Sequence, residues 1–219
     1  MKTIQSAYYI AVIVFMISVT MSCSNKIESR EFLKWLSEED NGLVKTKKSN
    51  GFEIKMKYLP PVYFVSRELI SYDLKNKAYD RAHVADSIKK EFSNNIYFLL
   101  HIDNDTSIVK ENADVMFRDI YNYGDYTSRI YKYNFNINED IELLKNNKVY
   151  HPVLSSFENH YGMEGGRNLL LVFAPQKDST EFSSISDLEV IFNDEELGIG
   201  TTHFRFEKSD LEDVPDIIY

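Results

Sequence analysis

Residues 43–58, LVKTKKSNGFEIKMKY, decide the fold class because they contain two extended segments on either side of a turn. The second segment, 52–58, alternates without a break between apolar and charged residues. A period of two residues is typical of an antiparallel strand with one buried face. Because Ser49-Asn50-Gly51 has the composition of a turn, residues 43–58 predict a β-hairpin.

Helical patterns flank this hairpin on both sides. Upstream, Glu31–Glu39 carries enough apolar residues for a short helix. Downstream, Pro61 stands where proline is favoured at the first position of a helix, and the pattern continues to Ile70. The segment 76–92 ends with apolar residues four apart, which predicts a surface helix packed on a sheet.

From residue 95 onward the apolar runs are short and separated by turns. The runs predicted as strands are 96–102, 126–137, 141–144, 148–157, 169–174, 188–192 and 201–207. Strands without regularly interleaved helices favour an antiparallel arrangement over a doubly wound sheet. The expected fold is therefore mainly β, with α+β as the alternative. We expect an antiparallel β-sandwich, immunoglobulin-like in general shape, with one or two N-terminal helices packed on it.

The N-terminal residues have the organisation of an export signal. Lys2 precedes an apolar stretch, Tyr8–Val19, that is shorter than the roughly 20 residues of a membrane-spanning helix. Thr20-Met21-Ser22-Cys23 resembles the lipobox of bacterial lipoproteins, although Thr20 stands where that family prefers Leu. The resemblance implies cleavage before Cys23 and acylation of its sulfur. An ordinary signal peptide or an uncleaved signal anchor is the alternative.

This reading divides the chain into four segments. We expect a signal peptide at 1–22, a tether at 23–30, an N-terminal hairpin and helical segment at 31–94, and a β-sandwich domain at 95–219. Ser24 is not the aspartate that retains some lipoproteins in the inner membrane, which favours the outer membrane. The expected location is therefore the cell envelope, with the protein anchored by lipid.

Composition and charge restrict the kinds of molecule that we expect the protein to bind. The net charge is −9, and removal of residues 1–22, which contain Lys2 as their only charged residue, makes the remainder one unit more negative. An acidic body argues against nucleic acid, because phosphate binding needs clustered Lys and Arg. Cys23 is the only cysteine, so thiol catalysis and disulfides are not expected in the domain. The expected partners are a membrane, through the lipid, and another envelope protein. No cofactor is expected.

Tyrosines near Gly124 form the candidate binding site. They are Tyr121, Tyr123, Tyr126 and Tyr131. If they are exposed, they form a patch that binds a carbohydrate or a protein. The favoured interpretation is that they pack against one another across neighbouring strands.

Two acidic segments resemble calcium sites only in part. Asp103–Ser107 has oxygen ligands at alternate positions, but Ile108 and Asp114 stand where an EF-hand needs Gly and Glu. A polar turn is the favoured interpretation. Asp194-Glu195-Glu196 is expected to be a solvated hairpin tip.

Histidines and glycines supply weaker candidates. Glu158 and His160 would share one face of a strand, where His151 could approach to complete a metal site, but a cross-strand hydrogen bond is the simpler interpretation. Gly162–Arg167 is rich in glycine yet lacks the Lys-Ser/Thr of a phosphate-binding loop. No catalytic residue or metal ligand is predicted. The remaining histidines, without an evident partner, are His83, His101 and His203.

Several short motifs together resemble one group of proteins. They are Asn41-Gly42-Leu43 with the strand ending Tyr58-Leu59-Pro60, then 150–152, 157–162, 168–173, 198–200 and 204–206. They are similar to a group of uncharacterised lipoproteins from Bacteroidota, a resemblance that implies no activity. The sequence contains no Gly-x-Ser-x-Gly motif. The function expected is a non-enzymatic envelope protein for protein interaction or envelope assembly. A glycan- or small-molecule-binding lipoprotein is the alternative, and a hydrolase is less favoured.

Overall fold

The computed structural model describes residues 26–75, 78–109, 114–158, 165–176 and 181–219. The signal segment 1–22, Cys23 and His160 lie outside these ranges. None of the helices in the described ranges has the length and the apolar character needed to cross a bilayer.

The strands of the described chain form three sheets. In chain order they are β1 (Lys26–Ile27), β2 (Val44–Ser49), β3 (Phe52–Tyr58), β4 (Ile96–Asn104), β5 (Ile141–Lys145), β6 (Lys148–Tyr150), β7 (Leu154–Glu158), β8 (Arg167–Phe173), β9 (Leu188–Asp194), β10 (Gly200–Phe206) and β11 (Asp216–Ile217). The larger sheet has the order β2-β3-β4-β8-β7 and the smaller sheet the order β10-β9-β5-β6. Both are antiparallel throughout, whereas β1 and β11 form a separate parallel pair.

Five α-helices accompany these strands in the described ranges. They are α1 (Ser29–Trp35), α2 (Pro61–Leu74), α3 (Arg81–Phe92), α4 (Tyr123–Tyr131) and α5 (Lys208–Glu212). A π-helical segment, Lys132–Asn136, continues α4, and 3-10 turns lie at Glu39–Asn41, Val115–Phe117 and Ile137–Asp140. The antiparallel strands are confirmed, but the fold is mixed α and β rather than mainly β. The expectation of only one or two helices is wrong.

The predicted hairpin forms as the alternation requires. Strand β2 pairs with β3, and Asn50 and Gly51 make the turn with φ of 49° and 78°. Phe52, Ile54 and Met56 are buried on one face. Strand β3 also pairs with β4, so the hairpin and the strand that follows residue 95 belong to one sheet.

Helices α2 and α3 cover part of the outer face of the larger sheet, as predicted. Pro61 opens α2, and the Asp80 side chain caps α3. The ring of Phe64 stacks on Phe92 at 4.0 Å and meets Tyr97 of β4 at 4.7 Å, which fixes both helices on the sheet.

The core lies on the opposite face of the larger sheet, against the smaller sheet. Phe98 of β4 lies 5.2 Å from Phe206 of β10 and 6.0 Å from Phe173 of β8, measured between ring centroids. All three rings are buried. The predicted run 148–157 is broken by Pro152 into β6 and β7, which belong to different sheets, so the chain passes from one layer to the other there.

The predicted strand 126–137 is wrong, because this segment is α4 and the π-helical turn. Its Tyr, Ile and Phe residues have high strand propensity, but the side chains that point inward are spaced as on a helix. Ile130 is half-buried, and Tyr133 and Ile137 are buried. Asn122 caps the start of α4, since its side-chain oxygen accepts a hydrogen bond from the Asp125 backbone N–H at 3.0 Å. Burial of this face outweighs strand propensity.

Candidate functional site

Exposed aromatic rings surround α4 and make it the candidate site. Tyr121, Tyr123 and Tyr131 are 89%, 80% and 59% exposed, and Tyr126 is half-buried. Two phenylalanines that the sequence analysis did not single out are also exposed. The set, named here the aromatic surface, is Phe117, Tyr121, Tyr123, Tyr126, Tyr131 and Phe135. The expectation that the tyrosines pack across neighbouring strands is wrong, because they lie on and before a helix.

Five of the six rings of the aromatic surface form two contacting groups. Phe117 stacks on Tyr126 with centroids 4.4 Å apart, and Tyr123 lies 6.4 Å from Tyr126. Tyr131 and Phe135 lie 5.0 Å apart, one turn from each other on the helix. Contacts of this kind hold exposed rings in place, which lowers the entropy lost when a partner binds.

A buried arginine holds α4 against its surroundings. Arg129 is 5% exposed, and its guanidinium donates to the backbone carbonyls of Met116 at 3.1 Å and Arg118 at 2.6 Å. It also donates to Glu196, at 3.3 Å to the carbonyl and 3.4 Å to the carboxylate. The Arg129 guanidinium therefore links α4 to the turn at Val115–Phe117 and to the loop between β9 and β10 by hydrogen bonds.

A buried hydrogen bond secures the following π-helical turn. The Tyr133 hydroxyl donates to Oδ2 of Asp194 at 2.9 Å, and both side chains are 0% exposed. Oδ1 of Asp194 accepts from the backbone N–H groups of Glu196 at 2.8 Å and Leu197 at 3.2 Å. The expectation of a solvated hairpin tip is therefore wrong for Asp194, whereas Glu195 is exposed.

The same burial shifts the protonation of both groups. Burial raises the pKa of Asp194, while the hydroxyl of Tyr133 and the two backbone N–H groups oppose the rise. Burial and the neighbouring Asp194 carboxylate raise the pKa of Tyr133 well above its usual value, so the phenol remains a donor.

Arg118 joins this region to the β2–β3 hairpin. Its guanidinium donates to the carbonyls of Gly51 at 3.0 Å and Asn50 at 2.9 Å, and lies 4.2 Å from the centre of the Phe52 ring. A Cβ atom at Gly51, where φ is +78°, would lie 2.7 Å from this guanidinium. Glycine is therefore favoured at the turn by its backbone conformation, and a larger residue would also displace the arginine.

The aromatic surface lies at one end of the larger sheet, and the start of the described chain lies at the other. The β2–β3 turn that Arg118 contacts is level with the end of β4 at Asn104. The start of β4 is covered by the last turn of α3, where Lys89 forms an ion pair at 3.2 Å with Asp216 of β11, the partner of β1. The nine residues of β4 separate the two ends by roughly 30 Å.

The calcium-like segment at Asp103–Ser107 is a closed turn. Asp105 is 3% exposed and accepts from Nζ of Lys48 at 2.8 Å and from the hydroxyl of Ser107 at 2.6 Å. These bonds lower the pKa of Asp105 to about 2. The polar turn favoured by the sequence is therefore what the structure contains, with a lysine in contact with the carboxylate.

The residues considered as metal ligands and then set aside in the sequence analysis have other partners. Glu158 accepts from the amide of Asn168 at 3.0 Å, and Asn168 meets Nδ1 of His101 at 2.7 Å across β4 and β8. His151 instead contacts the carbonyl of Ile141 at 3.1 Å in the smaller sheet. His160 lies outside the described residues. Across the described ranges no three His, Cys, Asp or Glu residues are placed to hold a metal ion.

Two further candidates have partners of their own within the protein. Arg167, at the end of the glycine-rich segment, is 2% exposed and pairs with Asp114, so its charge is directed into the protein rather than toward a phosphate. Residues 162–164 lie outside the described ranges. His203 meets Glu189 at 2.9 Å across β10 and β9.

Sequence reasoning missed the residues that support the site. Arg129 and Tyr133 are four apart, the spacing that places two side chains on one side of a helix. That signal is visible only if the segment is read as helical. No sequence pattern indicates that Asp194 is buried, because it stands in an acidic run that is typical of a solvated loop.

Comparison with known proteins adds little to these observations. No model of a protein family matches the chain, and the search of curated proteins found no match. A solved structure, the crystal structure of a novel protein of unknown function from Burkholderia pseudomallei K96243, is similar with a TM-score of 0.36 and 6% sequence identity. The match covers 87% of this chain and 95% of that chain. At this TM-score the likeness carries no argument about fold or function.

Proposed function

We propose that this protein is a non-enzymatic, lipid-anchored protein of a bacterial cell envelope that binds another protein through the aromatic surface. The anchor is Cys23, and the outer membrane is the favoured location, as in the uncharacterised lipoproteins of Bacteroidota that the sequence resembles. The observation that carries the proposal is the set of exposed rings on and beside α4, which Arg129 and Tyr133 hold in place.

The chemistry of the aromatic surface fits a protein partner. Tyrosine and phenylalanine are enriched at protein interfaces, and soluble domains seldom expose them together. Asp119 is exposed between Phe117 and Tyr121, and Asp125 is exposed two residues after Tyr123. A partner that presents Arg or Lys beside an apolar pocket would match both the rings and these carboxylates.

The position of the aromatic surface agrees with this role. A short tether from Cys23 would bring the β1 end of the domain close to the bilayer. The aromatic surface would then face away from that bilayer, roughly 30 Å from the β1 end, which is the length of β4. This orientation favours a protein in the envelope over membrane lipid as the ligand.

A glycan- or small-molecule-binding role has weaker support. Exposed tyrosines also stack on sugar rings, but the cavities of about 620 and 410 Å³ described in this structure are lined by other residues. We also infer that the two sheets, which meet at Phe98 and Phe206, form a distorted β-sandwich. Within that inference, we expect the sandwich to be immunoglobulin-like in general shape.

The test is site-specific photocrosslinking in cells that express the full chain. A photoreactive phenylalanine replaces Tyr121 or Tyr123 in turn, with Leu74, which is 70% exposed on α2, as the control position. We expect one dominant adduct from both tyrosine positions and none from Leu74. The adduct should be lost when Tyr131→Ala and Phe135→Ala are added.

Two outcomes would overturn the proposal. Equal amounts of adduct from Leu74 and from the tyrosine positions would show that the contacts are nonspecific. The absence of an adduct at both tyrosines would refute the protein-binding role. The anchor has a separate readout, incorporation of labelled palmitate, which we expect to be abolished by Cys23→Ala. Retention of label in that variant would refute the lipid anchor alone.

A further inference from the structure

The two sheets present unpaired edges to each other at β2 and β10. Within the described ranges, β2 pairs only with β3 and β10 pairs only with β9. The two edges run side by side without a ladder of backbone hydrogen bonds between them. Each strand therefore keeps one row of backbone N–H and C=O groups for another strand.

Side chains hold the two edges together at their ends. At one end the Ser49 hydroxyl donates to the Ile199 carbonyl at 2.7 Å, and the Asn50 amide donates to the Gly198 carbonyl. Toward the other end Nζ of Lys45 pairs at 3.3 Å with Asp210, which follows β10. The two strands consequently run antiparallel to each other.

A cavity of about 620 Å³ lies between these edges. It is lined by residues 44–47 of β2, residues 203–205 of β10 and Glu39. Successive residues of a strand point to opposite faces of a sheet. A cavity lined by successive residues therefore runs along the edges of the strands and does not lie on one face of a sheet. An added strand would lie along such an edge.

The groove is basic, although the chain is acidic. Its lining includes Lys45, Lys47, His203 and Arg205 against the single carboxylate of Glu39, in a chain of net charge −9. Lys45, His203 and Arg205 already have carboxylate partners. Lys47 is exposed and forms no ion pair within the described residues, and the Arg205 side chain is 79% exposed.

We infer that the groove between β2 and β10 binds an extended acidic segment of a partner protein as an added β-strand. The partner's backbone pairs with the free edge of β2, and its carboxylates meet Lys47 on one face of the added strand and Arg205 on the other. This is the general mode of β-strand addition, in which backbone bonds supply affinity and side chains supply selectivity. The groove is distinct from the aromatic surface, so the inference stands independently of the proposed function.

The test measures fluorescence anisotropy of labelled peptides with the full chain in detergent. The probe is the seven-residue peptide Thr-Glu-Glu-Thr-Glu-Glu-Thr, which presents glutamates on both faces of a strand, compared with the same peptide carrying Lys for Glu. A third peptide keeps the glutamates but is N-methylated at alternate residues, which removes the donors of one edge. We expect the lysine and N-methylated peptides to bind at least about tenfold more weakly, and salt to weaken the acidic peptide.

Variants separate the groove from the rest of the acidic chain. Lys47→Glu combined with Arg205→Glu should weaken the acidic peptide at least about tenfold and admit the lysine peptide. Lys90→Glu, an exposed change on α3, is the matched control and should leave binding unchanged. Circular dichroism identical to the wild type confirms that each variant is folded.

Three results would overturn the inference. No binding of the acidic peptide would mean that the lysines of β2 only protect an exposed edge from self-association. Equal affinities for the acidic and the N-methylated peptides would show that the peptide does not pair through its backbone. An unchanged affinity in the Lys47→Glu, Arg205→Glu variant would place the peptide elsewhere.

Discussion

Replacing Tyr133 with Phe removes one oxygen atom and tests how the aromatic surface is supported. The lost hydroxyl donates at 2.9 Å to Asp194, and both side chains are fully buried. Hydrogen bonds to charged groups contribute about 1.5–3 kcal/mol, so we expect a loss of about 2 kcal/mol in the free energy of unfolding. With a urea m-value of about 2 kcal/mol/M, the unfolding midpoint should fall by about 1 M.

The pH dependence of this loss identifies its cause. Burial already raises the pKa of Asp194, and removal of the hydroxyl raises it further. A raised folded-state pKa makes the folded protein bind a proton more readily than the unfolded chain, so stability falls as pH rises through that pKa. The cost of Tyr133→Phe should therefore be larger at neutral pH than near pH 4.

A matched control separates this bond from the general effect of losing a tyrosine hydroxyl. Tyr131 is 59% exposed and forms no hydrogen bond through its hydroxyl within the described residues, so Tyr131→Phe should change stability by less than about 0.5 kcal/mol. The measurement is urea unfolding followed by circular dichroism at both pH values. Equal midpoints for the two variants, or a larger cost at low pH, would refute the role assigned to the Tyr133–Asp194 bond.

Three further perturbations have defined outcomes. Arg167→Met leaves the nearly buried Asp114 carboxylate without its cation and should lower the free energy of unfolding by about 3–5 kcal/mol in urea titrations; a loss below about 1 kcal/mol would contradict the burial of this pair. Phe98→Ala empties the contact between the two sheets and should cost about 3–5 kcal/mol, which thermal unfolding would detect; an unchanged melting temperature would show that the sheets do not share a core there. Asp105 has a pKa lowered from 3.8 to about 2 by Lys48 and Ser107, so its contribution to stability is complete above about pH 4 and is lost as pH falls toward 2; Asp105→Asn should flatten this part of the acid titration, and an identical titration would contradict the assignment.

The strands of this protein are predictable where the signal is local. The alternation in 52–58 and the Ser49-Asn50-Gly51 turn determine the β2–β3 hairpin with no reference to the rest of the chain. Pro61 similarly marks the start of α2. The pairing order of β3, β4 and β8 depends on contacts between residues far apart in sequence, which no local pattern contains.

The candidate site was predictable only in part, for a physical reason. The sequence singles out the tyrosines near Gly124, but strand propensity predicts the wrong kind of element for Tyr126 and Tyr131. The helix is stabilised by what it covers, and that includes the buried side chains of Arg129 and Tyr133. Charged and polar residues of this kind are usually exposed, so their burial becomes visible only once the fold is known.

The parallel pair of β1 and β11 makes the two ends of the described chain neighbours. Ile27 lies opposite Ile217, and the Ile218 N–H donates to the Ile27 carbonyl at 3.0 Å. Whatever is fused after Tyr219 is therefore held within a few residues' reach of Lys26. If the tether from Cys23 enters at Lys26, an affinity tag or fluorescent protein at the C-terminus would begin beside the anchored end of the domain, although the parallel pairing directs it away from the entering tether. Such a reporter would sense the bilayer side of the molecule and leave the distal rings unobstructed.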